Sequence, residues 1–166
     1  MYGTLLGPVR AKLVRLLQDR PALAEVAVGY DPPSQQRDVF GPTGLRRAIW
    51  LSALVENAAM TVQALGHPLR WQETWSQAVV CQVLPRDNSD SQEAVDDSVS
   101  LLVGEVLDEV SADPTLGGLA VTGWTVRVAP AGSWKYEGGQ LLRDSGQVVG
   151  AAARVEIDLQ VEASNC

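Results

Sequence analysis

The sequence predicts an α+β domain: an antiparallel or mixed sheet of about five strands with two main helices packed on it. Three observations predict it. From Ala151 to Glu162 apolar residues recur at every second position, with polar residues between them from Arg154 on, the mark of an antiparallel strand with one buried and one wet face. From Ser91 to Ala112 apolar residues recur at helical spacing. Helix, strands, helix and strands follow one another in that order, which suits helices laid on one face of an antiparallel sheet.

The first helix spans Leu5 to Gln18. Thr4 is its expected cap, and Pro8 falls in the first turn, where a missing N–H costs little. Leu6, Val9, Leu13, Leu16 and Leu17 share one face, with Arg10, Lys12, Arg15 and Arg20 off it. Pro21 ends the helix. A short strand follows from Glu25 to Tyr30, and then Asp31-Pro32-Pro33-Ser34 forbids regular structure. Residues Asp31 to Gly44 read as a long loop of the kind that tends to carry function. A second strand covers Arg47 to Leu51. Between Ser52 and Leu65 the pattern fits both a helical face (Leu54, Ala58, Val62, Leu65) and a strand (Met60, Val62, Ala64). The expectation is an extended start to about Val55 and irregular chain beyond.

A third strand runs from Leu69 to Leu84, with Trp71, Trp75, Val79, Cys81 and Val83 on one side. Glu73 and Gln77 interrupt that side, so the first half is expected to leave the core as a hairpin arm. In the second helix Val95, Val99, Leu102, Val103, Val106 and Val110 make the buried stripe. Asp90 caps it with Glu93 reaching back, and Asp113-Pro114 stops it. A fourth strand runs from Ala120 to Ala129, a second long loop from Pro130 to Gly146, and the alternating fifth strand follows.

A chain of 166 residues suits one domain, residues 1–166, with its last few residues frayed. The formal net charge of −7 and the lack of any Lys/Arg cluster argue against nucleic-acid and anionic-membrane binding. Cys81 sits in an apolar run and Cys166 ends the chain, so both are expected to be reduced. The start has no basic region followed by an apolar one, so no signal peptide is expected.

Little in the chain promises chemistry. The single histidine, His67, stands between Gly66 and Pro68 and reads as a solvated turn residue. With two distant cysteines it makes no zinc spacing. Glu105, Asp108 and Glu109 share a helix face, which reads as a solvated acidic face more readily than as a cation site. Gly117-Gly118 precedes a strand and lacks the Lys of a phosphate loop. The expectation is a protein that is not an enzyme, with no cofactor and no metal. Five Trp against one Phe point elsewhere, because Trp is a favoured interface anchor. Trp50 and Trp124 lie in regular strand alternation and are expected in the core; Trp134 lies among glycines beside Lys135 and Tyr136.

An N-terminal amphipathic helix leads to Val26-Ala27-Val28. A long strand follows, then an acidic helix, the run Ala112-Asp113-Pro114-Thr115-Leu116-Gly117-Gly118, a strand and a terminal alternating strand. This layout resembles the tail terminator (tail-completion) proteins of long-tailed bacteriophages, especially those infecting actinobacteria. One departure is Val55-Glu56-Asn57-Ala58-Ala59, where the family would have a tight Gly-containing turn. The resemblance implies a tail-terminator-like fold and a structural virion protein at the tail–neck junction, made in the host cytoplasm. It implies a homo-oligomer, a six-fold ring that caps the tail tube, halts its polymerisation and meets a head-neck or head-closure protein. DNA would pass through the lumen without specific binding. Expected interface residues are Asp31, Gln35, Arg37 and Phe40 in the first long loop, and Trp134, Lys135, Tyr136 and Leu141 in the second. Expected lumen-facing acids are Asp96, Asp97, Glu105, Asp108 and Glu109, or Glu156 and Asp158. The alternatives are a neck adaptor of the same virion, or a small cytosolic ligand-binding domain or enzyme.

Overall fold

Two helices lie on one face of a five-stranded mixed sheet. The computed structural model describes residues 4–32, 46–64, 70–85, 90–119, 124–142 and 145–164. Among them the elements are α1 (Leu6–Gln18), β1 (Ala27–Gly29), β2 (Arg46–Ala64), β3 (Arg70–Leu84), α2 (Gln92–Ala112), β4 (Thr125–Leu142) and β5 (Val148–Ser164). The strand order is β1-β2-β3-β5-β4. Only β1 and β2 pair in parallel; β2 with β3, β3 with β5 and β4 with β5 are antiparallel.

Alternation on the strands and the stripes on the helices meet in one core. Ile49 and Leu51 on β2, Val79, Cys81 and Val83 on β3, and Val155, Ile157, Leu159 and Val161 on β5 face the helices and are buried. Leu5, Val9, Leu13 and Leu17 cover them from the α1 side, and Val95, Val99, Leu102, Val106 and Val110 from α2. Burying each such side chain fully is worth about 1.5–3 kcal/mol. Burial pushes the Cys81 thiol up to about 12, so it stays protonated at neutral pH. The other face is open, with a small second cluster of Ala27, Ala48, Trp50 and Val80. Trp50 is buried there, under the Arg154 guanidinium 5.6 Å from its ring. Trp124 packs edge-on against Trp71 at 5.4 Å.

The run after α2 folds into a tight plug. Asp113 Oδ1 accepts from Thr115 N–H (3.1 Å) and Thr115 Oγ1 (2.6 Å), and Oδ2 accepts from Gly117 N–H (2.7 Å). These bonds, above all the one from the Thr115 hydroxyl, hold the Asp113 carboxyl below its usual pKa. Leu116, Gly117 and Gly118 have φ of 54°, 72° and 64°, a left-handed path that glycine takes freely and leucine does not. Complete burial of the Leu116 side chain offsets that strain.

Several expectations are corrected. At α1 the cap position is Leu5: Thr4 Oγ1 accepts only from Leu6 N–H, at 3.2 Å, while Leu5 N–H donates to Glu73 at 2.6 Å. Arg10 is buried, not off the packed face. Its Nη1 donates to Gln77 Oε1 at 2.9 Å and its Nε to Tyr30 at 2.8 Å. Glu73 and Gln77 therefore interrupt the apolar side of β3 because they bond α1. The first half of β3 does not leave the core, since it pairs on both sides from Gln72 onward. On α2 the cap is Ser91, accepting from Ala94 N–H at 3.1 Å, in place of Asp90 and Glu93.

Two corrections matter more for function. Beyond Val55 the chain is not irregular: β2 continues to Ala64 against β3, with register shifts that take up Asn57 at φ 53°. Pro130 to Leu142 is not a loop but the second half of β4, with a shift between Pro130 and Trp134 where Gly132 sits at φ 84°. β5 runs as far as Ser164, and the last two residues, expected to fray, lie outside the described residues.

Candidate functional site

The two flanks of the sheet are the surfaces the fold leaves unfinished. On one flank β4 is the last strand: among the described residues no strand pairs with its outer edge, though Val128 N–H there donates to the Pro114 carbonyl at 2.8 Å. On the other, β1 covers β2 only from Ala48 to Trp50, so the edge of β2 from Ser52 to Val62 is likewise uncovered among the described residues. A strand edge is a row of unpaired N–H and C=O groups, ready to pair with another chain.

The β4 flank is apolar on its helix side. Trp134 and Tyr136 stand opposite Ile157 and Val155, on the side that α2 covers. Trp134 is 65% exposed. Between it and α2 runs a groove of about 320 Å³ lined by Val103, Leu107, Pro130, Trp134 and Ile157 among others. Few polar groups reach into it, and Ser133 already donates to Asp158 at 2.7 Å. At the rim Tyr136 donates to Asp96 at 2.6 Å, and Asp96 also accepts from Gln92 at 2.9 Å. The bond to Asp96 raises the Tyr136 pKa. Lys135 and Leu141 fall on the opposite, open side of the sheet. The second flank carries exposed Leu54, Met60 and Val62 on β2. A hollow of about 260 Å³ lies beside them, lined by Leu6, Val55, Met60, Glu73 and Trp75 among others.

No protein-family model and no curated protein matches this chain.

The expected site residues divide. Trp134, Lys135, Tyr136 and Leu141 are all exposed, but on an edge strand whose pleat points them to two faces. Asp31 is exposed, while Gln35, Arg37, Phe40, His67 and Cys166 lie outside the described residues. The α2 carboxylates are not one solvated face. Arg20 donates to Glu105 at 2.6 Å and also bonds Glu109. Burial works against that guanidinium's charge, but the two carboxylates prevail and its pKa is raised. Asp97 and Asp108 are exposed. Glu156 and Asp158 sit half-buried on the open sheet face, on the far side from α2, with Arg154 3.7 Å from Glu156. The α2 acids and the β5 acids therefore occupy opposite faces. Among the described residues no three His, Cys, Asp or Glu side chains gather as a metal site, and no helix is long and apolar enough to cross a membrane.

The β2 flank was missed. Its signal was Met60, Val62 and Ala64 at a spacing of two, competing with a helical spacing over the same residues.

Proposed function

We propose that this protein is the tail terminator of a long-tailed bacteriophage, a virion subunit that catalyses no reaction. Copies made in the host cytoplasm close into a ring, six-fold as the family resemblance implies, at the junction of tail and neck. The ring caps the tail tube, stops its growth and meets the head-closure protein. The observation that carries this reading is the pair of unlike flanks. One is the outer flank of β4 with exposed Trp134, the other an open β2 edge with Met60 and Val62. Unlike surfaces at the two ends of one sheet join head to tail, and such contacts close into rings when the rotation allows. The net charge of −7 supports passage of DNA without retention, because retention needs cations on the phosphates. The groove beside α2 favours a second reading, a small-ligand domain, since its volume lies at the lower end of such sites.

Electron microscopy of the protein mixed with its phage's tail-tube protein tests this. The expected result is tubes that stop growing and carry a ring at one end. Tubes of unchanged length without a ring overturn it, and a ring that binds only the portal side of the neck supports the neck-adaptor alternative instead.

A further inference from the structure

We propose that the short strand β1 of one copy pairs with the outer edge of β4 in the next, at Trp134 to Gly138. The two strands run antiparallel, with Val28 opposite Tyr136, so one sheet runs on from subunit to subunit. This rests on the ring reading and names the contact that builds the ring.

Hydrogen-bond alternation shows where each edge is open. Val128 N–H points away from β5, since it donates to the Pro114 carbonyl. In an antiparallel ladder, residues that turn their N–H and C=O outward alternate with residues that bond the partner strand. Val128 stands opposite Val161, while Trp134 and Tyr136 stand opposite Ile157 and Val155, an even number of residues along β5. Trp134 and Tyr136 therefore turn their backbone groups outward too, and no described residue bonds them there. Carried across β5 and β3, the same alternation turns Ile49 toward β1, where it bonds Ala27 and Gly29 and leaves Val28 facing outward. The Val28 carbonyl accepts from exposed Gln18 at 2.8 Å, which agrees with that direction. Its second lone pair stays open to another donor.

Direction, level and side then match. β1, β2 and β5 run one way, and β3 and β4 the other. A second copy set beside β4 with its helices on the same side thus presents β1 antiparallel. Tyr136 stands opposite Val155, Val155 opposite Cys81, Cys81 opposite Ile49, and Ile49 opposite Val28. At equal level the two outward-turned residues meet and exchange both backbone bonds. A slip of one residue would have set outward groups against inward ones. Val28 packs against the main core and Tyr136 lies on the side of Val155 in that core, so both side chains belong to the helix side. Two residues further, exposed Tyr30 comes level with exposed Trp134.

The outlines of the flanks also fit. β1 widens its flank only beside Ala48 to Trp50, at the level where β4 is bare. At the level of Glu56 to Ala59 the β2 edge is bare, and there the Pro114 segment takes up the β4 edge at Val128. Each flank projects where the other recedes.

Disulfide trapping tests the contact. Val28→Cys and Tyr136→Cys are combined in a Cys166→Ser chain and oxidised, free at high concentration and on isolated tail tubes. Within one chain the two positions are four strand spacings apart, about 19 Å, too far for a bridge. The expected result is a ladder of covalent oligomers, with dimers alone from a mixture of the two single variants. Dimers from one single variant as abundant as in the mixture mean that like edges pair, and overturn the head-to-tail contact. Without oxidation, Tyr136→Pro and Tyr136→Ala both lose the ring, but only the first loses the outward N–H. The two should share a urea midpoint, since proline is tolerated on an edge strand. The proline variant should self-associate about two- to tenfold more weakly, the yield of one net backbone hydrogen bond; equal association overturns the strand pairing. Rings on tubes without a ladder overturn the contact and leave the ring reading standing, and a ladder without rings does the reverse. Neither ring nor ladder overturns both.

Discussion

Arg10, Gln77 and Glu73 show how single polar residues hold α1 to the sheet. The Arg10 guanidinium is buried and donates to Gln77 Oε1, while Gln77 Nε2 donates to the carbonyls of Ser52 and Ala78. Every one of these bonds except that to Ala78 spans elements, so losing one member strands another. Gln77→Leu removes the acceptor and leaves a charged donor unpaired in the core. It is expected to cost about 2–3 kcal/mol in urea denaturation. Adding Arg10→Met should recover at least half, because replacing both partners by apolar groups is nearly neutral; strictly additive losses would show the two side chains act independently. The same residues explain what a sequence hides at this scale. Glu73 and Gln77 read as a strand leaving the core, and Arg10 as solvated, because their partners lie 67 to 69 residues away in the chain. The buried apolar positions Val9, Leu13, Val79 and Cys81 needed no such partner and were legible from spacing alone.

Elements were legible in proportion to how far local pattern decided them. α2 declares itself through its stripe and its Asp-Pro stop, and it occupies Gln92–Ala112. β4 did not, because Pro130, Gly132, Gly138 and Gly139 punctuate it like a loop. What makes it a strand is β5, which pairs with it from Thr125 to Leu142, and the register shift before Trp134 absorbs the proline and the first glycine. Pairing with a distant strand overrides weak local preference. Glycine does carry a cost in α2, where Gly104 stands in the helix interior with open space where a Cβ would go. Gly104→Ala should therefore stabilise the protein by about 0.5–1 kcal/mol, read as a higher urea midpoint at unchanged slope. A loss of stability would mean that a neighbouring copy approaches the helix there in solution.

For the molecule as a whole, Trp134 and Tyr136 were legible as surface anchors from their type and glycine-rich setting. The open edge of β2 was not, because a spacing of two competed there with a helical one. The acids of α2 read as free, yet Arg20, far off in sequence, holds Glu105 and Glu109. What remains is a body of net charge −7 that must still bring copies of itself together. Repulsion between such bodies acts over the screening length, about 30 Å at 0.01 M salt and about 8 Å at 0.15 M. Any ion pair between copies is local, and an exposed pair is worth about 1 kcal/mol at most. Whole-body repulsion should therefore dominate the salt response. At fixed protein concentration the weight-average mass from sedimentation should rise as salt increases across that range. A fall would mean that local pairs outweigh the net charge, and the exposed apolar side chains Trp134, Met60 and Val62 would then not be the main source of cohesion.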